Sequence, residues 1–301
     1  MPNRKLNRRI QGAIPGTVLF SMIAFGGAAF ALQLSLRPGF NLFSVAQDLQ
    51  LGKENAALVE RQIPVLSDEV ATRYLNRLGR RLSGYAPNNQ AEYVWQFKML
   101  NSGDINAFAL PGGYIYVSRA TLESAQDEAQ LAGVLAHEEG HVVLRHGTHQ
   151  LSESVLAEKP LEMLGILVGP DDGFMSRLLQ FGIGIGAQSI LLRNSRAMEA
   201  QADTEGVYIL YQAGYDPRGL ARFFEAIEQK FPQQTLQFLS DHPDPGNRIK
   251  AVEEEVAELG PAKAWSAASP DFQSVRTHVL SLPPAPRSKP PAAGSSSGGP
   301  A

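Results

Sequence analysis

The sequence predicts an α+β fold, mainly helical, with a small antiparallel sheet flanking the helix that carries its chemistry. Three observations lead there. Apolar residues recur at helical spacing along most of the chain, a strand-like period of two is confined to residues 93–118, and the two patterns are segregated rather than alternating.

The elements follow in order. Ser44 and Gln47 form a capping box for a helix reaching about Gln62. A second helix runs from about Asp68 to Leu82, with Val70, Tyr74, Leu78 and Leu82 expected inward. Tyr93, Trp95, Phe97 and Met99 alternate with Val94, Gln96 and Lys98, as a strand does. Two more extended pieces, Ile105–Leu110 and Tyr114–Ser118, are joined by Pro111-Gly112-Gly113. Ser124 and Asp127 are placed to cap a long helix. Asp216-Pro217 opens another, with Leu220, Phe223, Phe224, Ile227 and Phe231 on one face. Asp244-Pro245 opens a further helix with Ile249, Val252, Val256 and Leu259 inward and Gly260-Pro261 as its stop. Leu161–Val168 and Leu178–Leu192 are apolar, but each is shorter than a membrane span, and Asp171, Asp172 and Arg177 interrupt them. Buried helices, a hydrophobic lid and a surface dipping into lipid all fit that stretch.

The ends differ from the middle. Arg4, Lys5, Arg8 and Arg9 precede an uncharged run from Ile10 to Leu36, the layout of an export signal. Residues 1–36 read as a cleaved signal peptide or a retained membrane anchor, since the run also exceeds the roughly 20 residues that span a bilayer. Basic residues before the run place all that follows outside the cytoplasm. Residues 37–281 form the folded domain, and residues 282–301, rich in Pro, Gly and Ser, a disordered tail. With 301 residues and 44% hydrophobic composition the chain can build a sizeable core. A net charge of -3 supplies no field for nucleic acid, so none is expected as a partner. The absence of cysteine excludes thiolate metal sites, cysteine nucleophiles and disulfides, leaving six histidines and the carboxylates as metal donors.

Residues 137–141 read HEEGH. Histidines four apart share one helical face, so His137 and His141 can bind one Zn2+, with Glu138 directed at metal-bound water as general base. The pattern arises by chance in roughly one chain of this length in a hundred, so its context matters. Leu131, Val134, Leu135 and Val142 give the helix a buried side, where histidine and glutamate need a purpose. A zinc peptidase site needs a third protein ligand. His146, His149, His242 and several carboxylates are candidates. His146 lies five residues past His141 and, on a continuous helix, would cap its end or face solvent. Glu199, with Asp203 one turn on, offers a ligand and an outer partner for a ligand histidine, although this spacing also suits a solvated face.

The stretches at residues 43–82, 106–122 and 128–146, together with NSRAMEAQADTEG and SDHPDPGNRI, resemble the zinc metallopeptidase family that includes the heat-shock protease HtpX, the CAAX prenyl proteases and the periplasmic beta-barrel assembly-enhancing protease. The resemblance covers about Phe40 to Gly260, in order. It implies a zincin-like domain, one zinc per chain and Glu199 as third ligand. It makes Asp203 a catalytic proton donor or the partner of a ligand histidine. His242 in the His-Pro motif becomes either an oxyanion donor or a latency switch on the metal's open position, with Arg248 nearby to hold its loop or donate to a carboxylate. That family usually carries Glu where this chain has Gln201, a position expected on the solvent side. Asn106, Ala107 and Phe108 form the expected substrate-binding edge strand. The function expected is an exported, periplasmic zinc endopeptidase for unfolded or misassembled envelope proteins. Its partners would be protein or peptide substrates, the envelope membrane and the outer-membrane assembly machinery. The rival is a zinc-bound chaperone or scaffold that holds such proteins without cutting them, against which Glu138 argues.

Overall fold

A computed structural model describes residues 36–87, 93–158, 173–180, 194–232, 238, 242, 248–259, 265 and 270–287. The N-terminal signal or anchor and most of the apolar stretch 161–192 therefore lie outside the described residues. No helix among the described residues is long and apolar enough to cross a membrane.

Helix α1 (Val45–Gln62) begins at the expected capping box, with both reciprocal bonds made. Helix α2 (Glu69–Ser83) starts from Asp68, whose side chain accepts from the Ala71 N–H. Its buried stripe is Ala71, Tyr74, Leu75, Leu78 and Leu82, and Val70 is 39% exposed. Val70 was expected inward, but it stands about a quarter-turn from the centre of that stripe.

Strands β1 (Gln96–Leu100), β2 (Ala107–Leu110) and β3 (Tyr114–Ser118) form one sheet in the order β1-β3-β2. Sheet pairing corrects the antiparallel expectation. β2 and β3 are an antiparallel hairpin, turned by Gly112 and Gly113 at φ of 79° and 103°, but β1 runs parallel to β3. The link from β1 to β2 crosses over, so β1 lands on the far side of β3 and the sheet is mixed. Among the described residues, that topology leaves β2 an edge strand. One face of the sheet packs Phe97, Ile115 and Val117 against the core of α2 and α4 (Glu128–Val143). The other packs Phe108, Tyr114 and Tyr116 against α1, α5 (His146–Glu158) and α6 (Phe174–Gln180). Leu178, from the ambiguous apolar stretch, is buried there.

A short helix α3 (Arg119–Ser124) precedes α4, so Ser124 ends one helix and Asp127 alone caps the next. Helix α7 (Arg196–Ala213) lies along α4. The approach is backbone to backbone. A Cβ on Gly140, between the two histidines of HEEGH, would stand 2.9 Å from the Ala202 carbonyl oxygen, and one on Gly133 would stand 2.4 Å from the Leu220 nitrogen. Helix α8 (Gly219–Lys230) buries Leu220, Phe223, Phe224 and Ile227, while Phe231 is its half-buried C-cap. Helix α9 (Arg248–Glu258) buries Val252 and Val256.

Helix α10 (Pro270–Ser281) carries no strong sequence signal, yet it seats Phe272, Val275 and Val279 in the main core. The chain after it was expected to be disordered from residue 282. Residues 282–287 are instead tied down. The buried Arg119 guanidinium donates to the carbonyls of Val279, Leu282 and Pro283, and the Gly103 N–H donates to that of Pro286. Composition alone does not register such anchors. Residues 288–301 lie outside the described residues.

Candidate active site

Every residue of α4 is buried, so its His137, Glu138 and His141 are presented inside the molecule. The two histidines stand one turn apart with their Nε2 atoms 3.0 Å from each other. Ser195 caps α7 and sets Glu199 in its first turn, pointing at both rings. Glu199 Oε2 lies 3.3 Å from His137 Nε2, and Oε1 lies 3.4 Å from His141 Nε2. His242 completes the group, its Nδ1 at 3.4 Å from both His137 Nε2 and Glu199 Oε2. Its Nε2 is 3.0 Å from the Ala107 carbonyl oxygen, and its ring stacks on Phe238. With the Nε2 proton donated to Ala107, the His242 Nδ1 lone pair faces the cluster.

These four donors fit a metal ion. Ligands bound at about 2.0–2.1 Å across tetrahedral angles stand about 3.3–3.4 Å apart, close to the spacings observed. Glu199 Oε1 and Glu138 Oε1 are buried acceptors with no hydrogen-bond partner among the described residues. Clustered imidazole and carboxylate donors suit zinc.

A second layer backs the first. Asp203 Oδ1 lies 2.9 Å from His137 Nδ1, on the side of the ring away from the cluster. Arg248 joins the two carboxylates, Nε donating to Asp203 Oδ2 at 2.6 Å and Nη2 to Glu199 Oε2 at 2.8 Å, with its guanidinium over the Phe224 ring. Arg248 was expected near His242, holding its loop or donating to a carboxylate, and it donates to two, Glu199 and Asp203.

As protein groups alone, these side chains perturb one another strongly. Burial favours neutral His137, but the Asp203 and Glu199 carboxylates outweigh it and push its pKa up to about 10. Burial would raise Glu199, yet His141 and His137 hold it far below the usual carboxylate range. Burial keeps His141 below its ordinary value, and burial alone drives Glu139, on the same helix, well above its own.

A cleft of about 170 Å3 opens onto the cluster, lined by Glu138, His141 and His242 on one side and by Asn106, Phe108 and Leu110 on the other. The expected substrate strand is thus at the cleft: Asn106 leads into β2, and Ala107 presents its carbonyl to His242.

Two site residues escaped the sequence reading. Asn194 lines the cleft, its Oδ1 accepting from Gln150 and its Nδ2 3.4 Å from His141 Nε2. His146 neither caps a helix nor faces solvent. It is 3% exposed, with Nδ1 2.8 Å from His141 Nδ1 and Nε2 3.1 Å from Gln201 Oε1. Gln201 is exposed, as expected, but its amide is turned onto His146. The misplacement arose from assuming a continuous helix. Arg145 takes a φ of 57° and breaks it.

Comparison with known sequences accords with this site. The profile of peptidase family M48 matches residues 69–256, a span holding all the clustered side chains. The beta-barrel assembly-enhancing protease of Escherichia coli K12 is 26% identical over 290 residues, covering 93% of this chain and 58% of that protein. The Yersinia pestis protein of the same name is 27% identical over 248 residues, covering 79% of this chain and 49% of its own length. The mitochondrial metalloendopeptidase OMA1 of Schizosaccharomyces pombe is 28% identical over 250 residues, 79% of this chain and 71% of that one. The chain thus spans about half the length of the bacterial relatives it matches. It belongs to peptidase family M48.

Proposed function

We propose that this chain is a zinc-dependent endopeptidase, with His137, His141 and Glu199 holding one zinc ion. The observation that carries the reading is the buried four-donor cluster with Glu138 beside it at the end of a cleft. Bound there, zinc supplies hydroxide at near-neutral pH and polarises the scissile carbonyl. Glu138 takes a proton from the attacking water on its carboxylate and returns it to the leaving nitrogen. Asp203 acts as a positioning residue. Facing His137 Nδ1, it keeps the proton on that nitrogen and leaves the Nε2 lone pair for the metal. Arg248 neutralises Glu199 and Asp203 and holds both in place. A substrate peptide lies along β2 as an added strand, with the Ala107 backbone as pairing partner and Asn106 and Phe108 lining the cleft beside it.

His242 serves latency. Its Nδ1 stands at the fourth vertex of the cluster, where an attacking water belongs, and its Nε2 occupies the Ala107 carbonyl that a substrate N–H would use. One ring thus blocks both the chemistry and the binding edge.

Backbone pairing favours extended, unfolded chains over one defined sequence, so the substrates are unfolded or misassembled proteins. The basic and apolar N-terminus supports export, and the bacterial relatives named for beta-barrel assembly support an envelope location beside that assembly machinery. A reporter active only after export, fused after Gly260, tests the location, and an inactive but well-expressed fusion refutes it. The decisive assay incubates purified protein with an unfolded outer-membrane protein. Cleavage should stop with chelator, return with zinc, and fall by about 10²–10⁴-fold in Glu138→Gln. Binding without cleavage by both the zinc-loaded parent and the unlatched His242→Ala variant would turn the reading to the chaperone instead.

A further inference from the structure

We infer that His146 and Gln201 are positioning residues that fix the tautomer and aim of His141 through a three-side-chain relay. The inference rests on the metal reading above and goes beyond it, because it assigns an outer partner to the second ligand histidine.

The relay allows only one arrangement of protons. His141 Nε2 faces the cluster and must offer a lone pair, so its ring proton sits on Nδ1. That Nδ1 lies 2.8 Å from His146 Nδ1 and donates to it. His146 Nδ1 is therefore bare, and the His146 proton sits on Nε2. From there it is donated to Gln201 Oε1, 3.1 Å away. Reversing any one bond would put a proton on His141 Nε2 and remove the ligand. His137 receives the corresponding service from Asp203, so each ligand histidine of HEEGH has its own partner behind it, an acid for one and a neutral imidazole for the other.

The backbone shows how the chain delivers His146. Five residues along an unbroken α-helix amount to roughly 500°, which would turn His146 about 140° away from His141. Arg145 instead adopts the left-handed conformation, unusual for a residue with a Cβ. Its side chain holds it there, Nε and Nη2 donating to the two oxygens of buried Asp48 and Nη2 also to the Phe43 carbonyl. The reversal starts α5 with His146 folded back over His141, the rings 5.0 Å apart. Gln201 comes from α7, the helix that also carries Glu199 and Asp203.

The test measures zinc affinity by competition with a chromophoric chelator, and the visible absorption of the Co2+ form. His146→Ala should weaken zinc by about 10–100-fold and alter the Co2+ spectrum. His146→Asn should recover most of the loss, because its Oδ1 can stand where Nδ1 stood. Gln201→Ala, at an exposed position, should weaken zinc several-fold without shifting the melting point of the chelated protein. Equal losses in His146→Ala and His146→Asn would reduce His146 to a packing role and overturn the inference. Unchanged affinity, within twofold, in both His146→Ala and Gln201→Ala would overturn it too, with the metal site intact if Glu199→Ala still loses zinc. A parent protein that takes up no zinc would sink the metal reading itself.

Discussion

Replacing Arg248 by Met removes a single buried cation that serves two buried carboxylates while keeping most of its apolar stem. Glu199 and Asp203 are 0% and 3% exposed, and Arg248 reaches them at 2.8 and 2.6 Å. Removing one partner of a buried ion pair costs about 3–5 kcal/mol, because the charge left behind cannot reach water. For a domain of this size each kcal/mol lowers Tm by about 2–4 °C, so the chelated variant should melt about 6–20 °C below its parent. Zinc carries two positive charges to the same carboxylates and so compensates part of the loss. The difference between parent and variant should therefore be smaller in zinc than in chelator. Thermal melts followed by circular dichroism, with both proteins in both conditions, measure all four states. A loss below about 1 kcal/mol in chelator, or equal losses in the two conditions, would refute the account of Arg248 as the counter-ion of the cluster.

Glu199→Ala should abolish most bound zinc by elemental analysis and Asp203→Asn should weaken zinc by about 10–100-fold; full occupancy in Glu199→Ala would move the third ligand elsewhere. His242→Ala should raise basal proteolysis by opening the fourth position and the Ala107 carbonyl, whereas a fall of about 10²–10³ in kcat would make the ring an oxyanion donor instead. Glu205, buried on α7, has its pKa raised to about 7 from 4.5, chiefly by burial and despite accepting the Leu36 N–H. The folded state thus binds this proton more tightly, so this group's contribution to stability is fully present below about pH 4.5 and is lost as pH rises through about 7. Glu205→Gln should raise Tm above the parent at pH 8 and match it near pH 4, and a pH-independent difference would refute that linkage.

What could be read from the sequence was what local rules determine. The capping box at Ser44 needs only residues three apart, and it formed as expected. The α8 stripe was legible because its buried side chains repeat with the helical period. HEEGH was legible for another reason. Its helix is buried on every side and has no polar face to set a period, so the motif stood out through chemistry rather than amphipathicity. The parallel pairing of β1 with β3 was hidden, because it depends on which side of the hairpin a crossing segment lands, a choice made by α1 and α2 on the two faces. Helix α10 and residues 282–287 were hidden likewise, their attachment being to Arg119, some 160 positions earlier.

The same division runs through the site. His137, His141, Glu199 and Asp203 share helical spacings within two helices, so two periodic patterns and one close helix contact suffice to assemble them. His242 and His146 obey no such period. His242 is placed by a local turn, its N–H bonded to the Phe238 carbonyl and its ring stacked on Phe238, and by its bond to Ala107 of β2, 135 positions earlier in the chain. His146 depends on a left-handed residue that costs roughly 1–2 kcal/mol, and no composition rule predicts an arginine there. What makes it tenable is Asp48, 97 positions earlier on α1 and already buried, which holds the guanidinium in two bonds. The partner of a ligand histidine is thus secured by the first helix of the domain. Loosening α1 at Asp48 should therefore reach the metal through Arg145 and His146, without touching any residue that binds it.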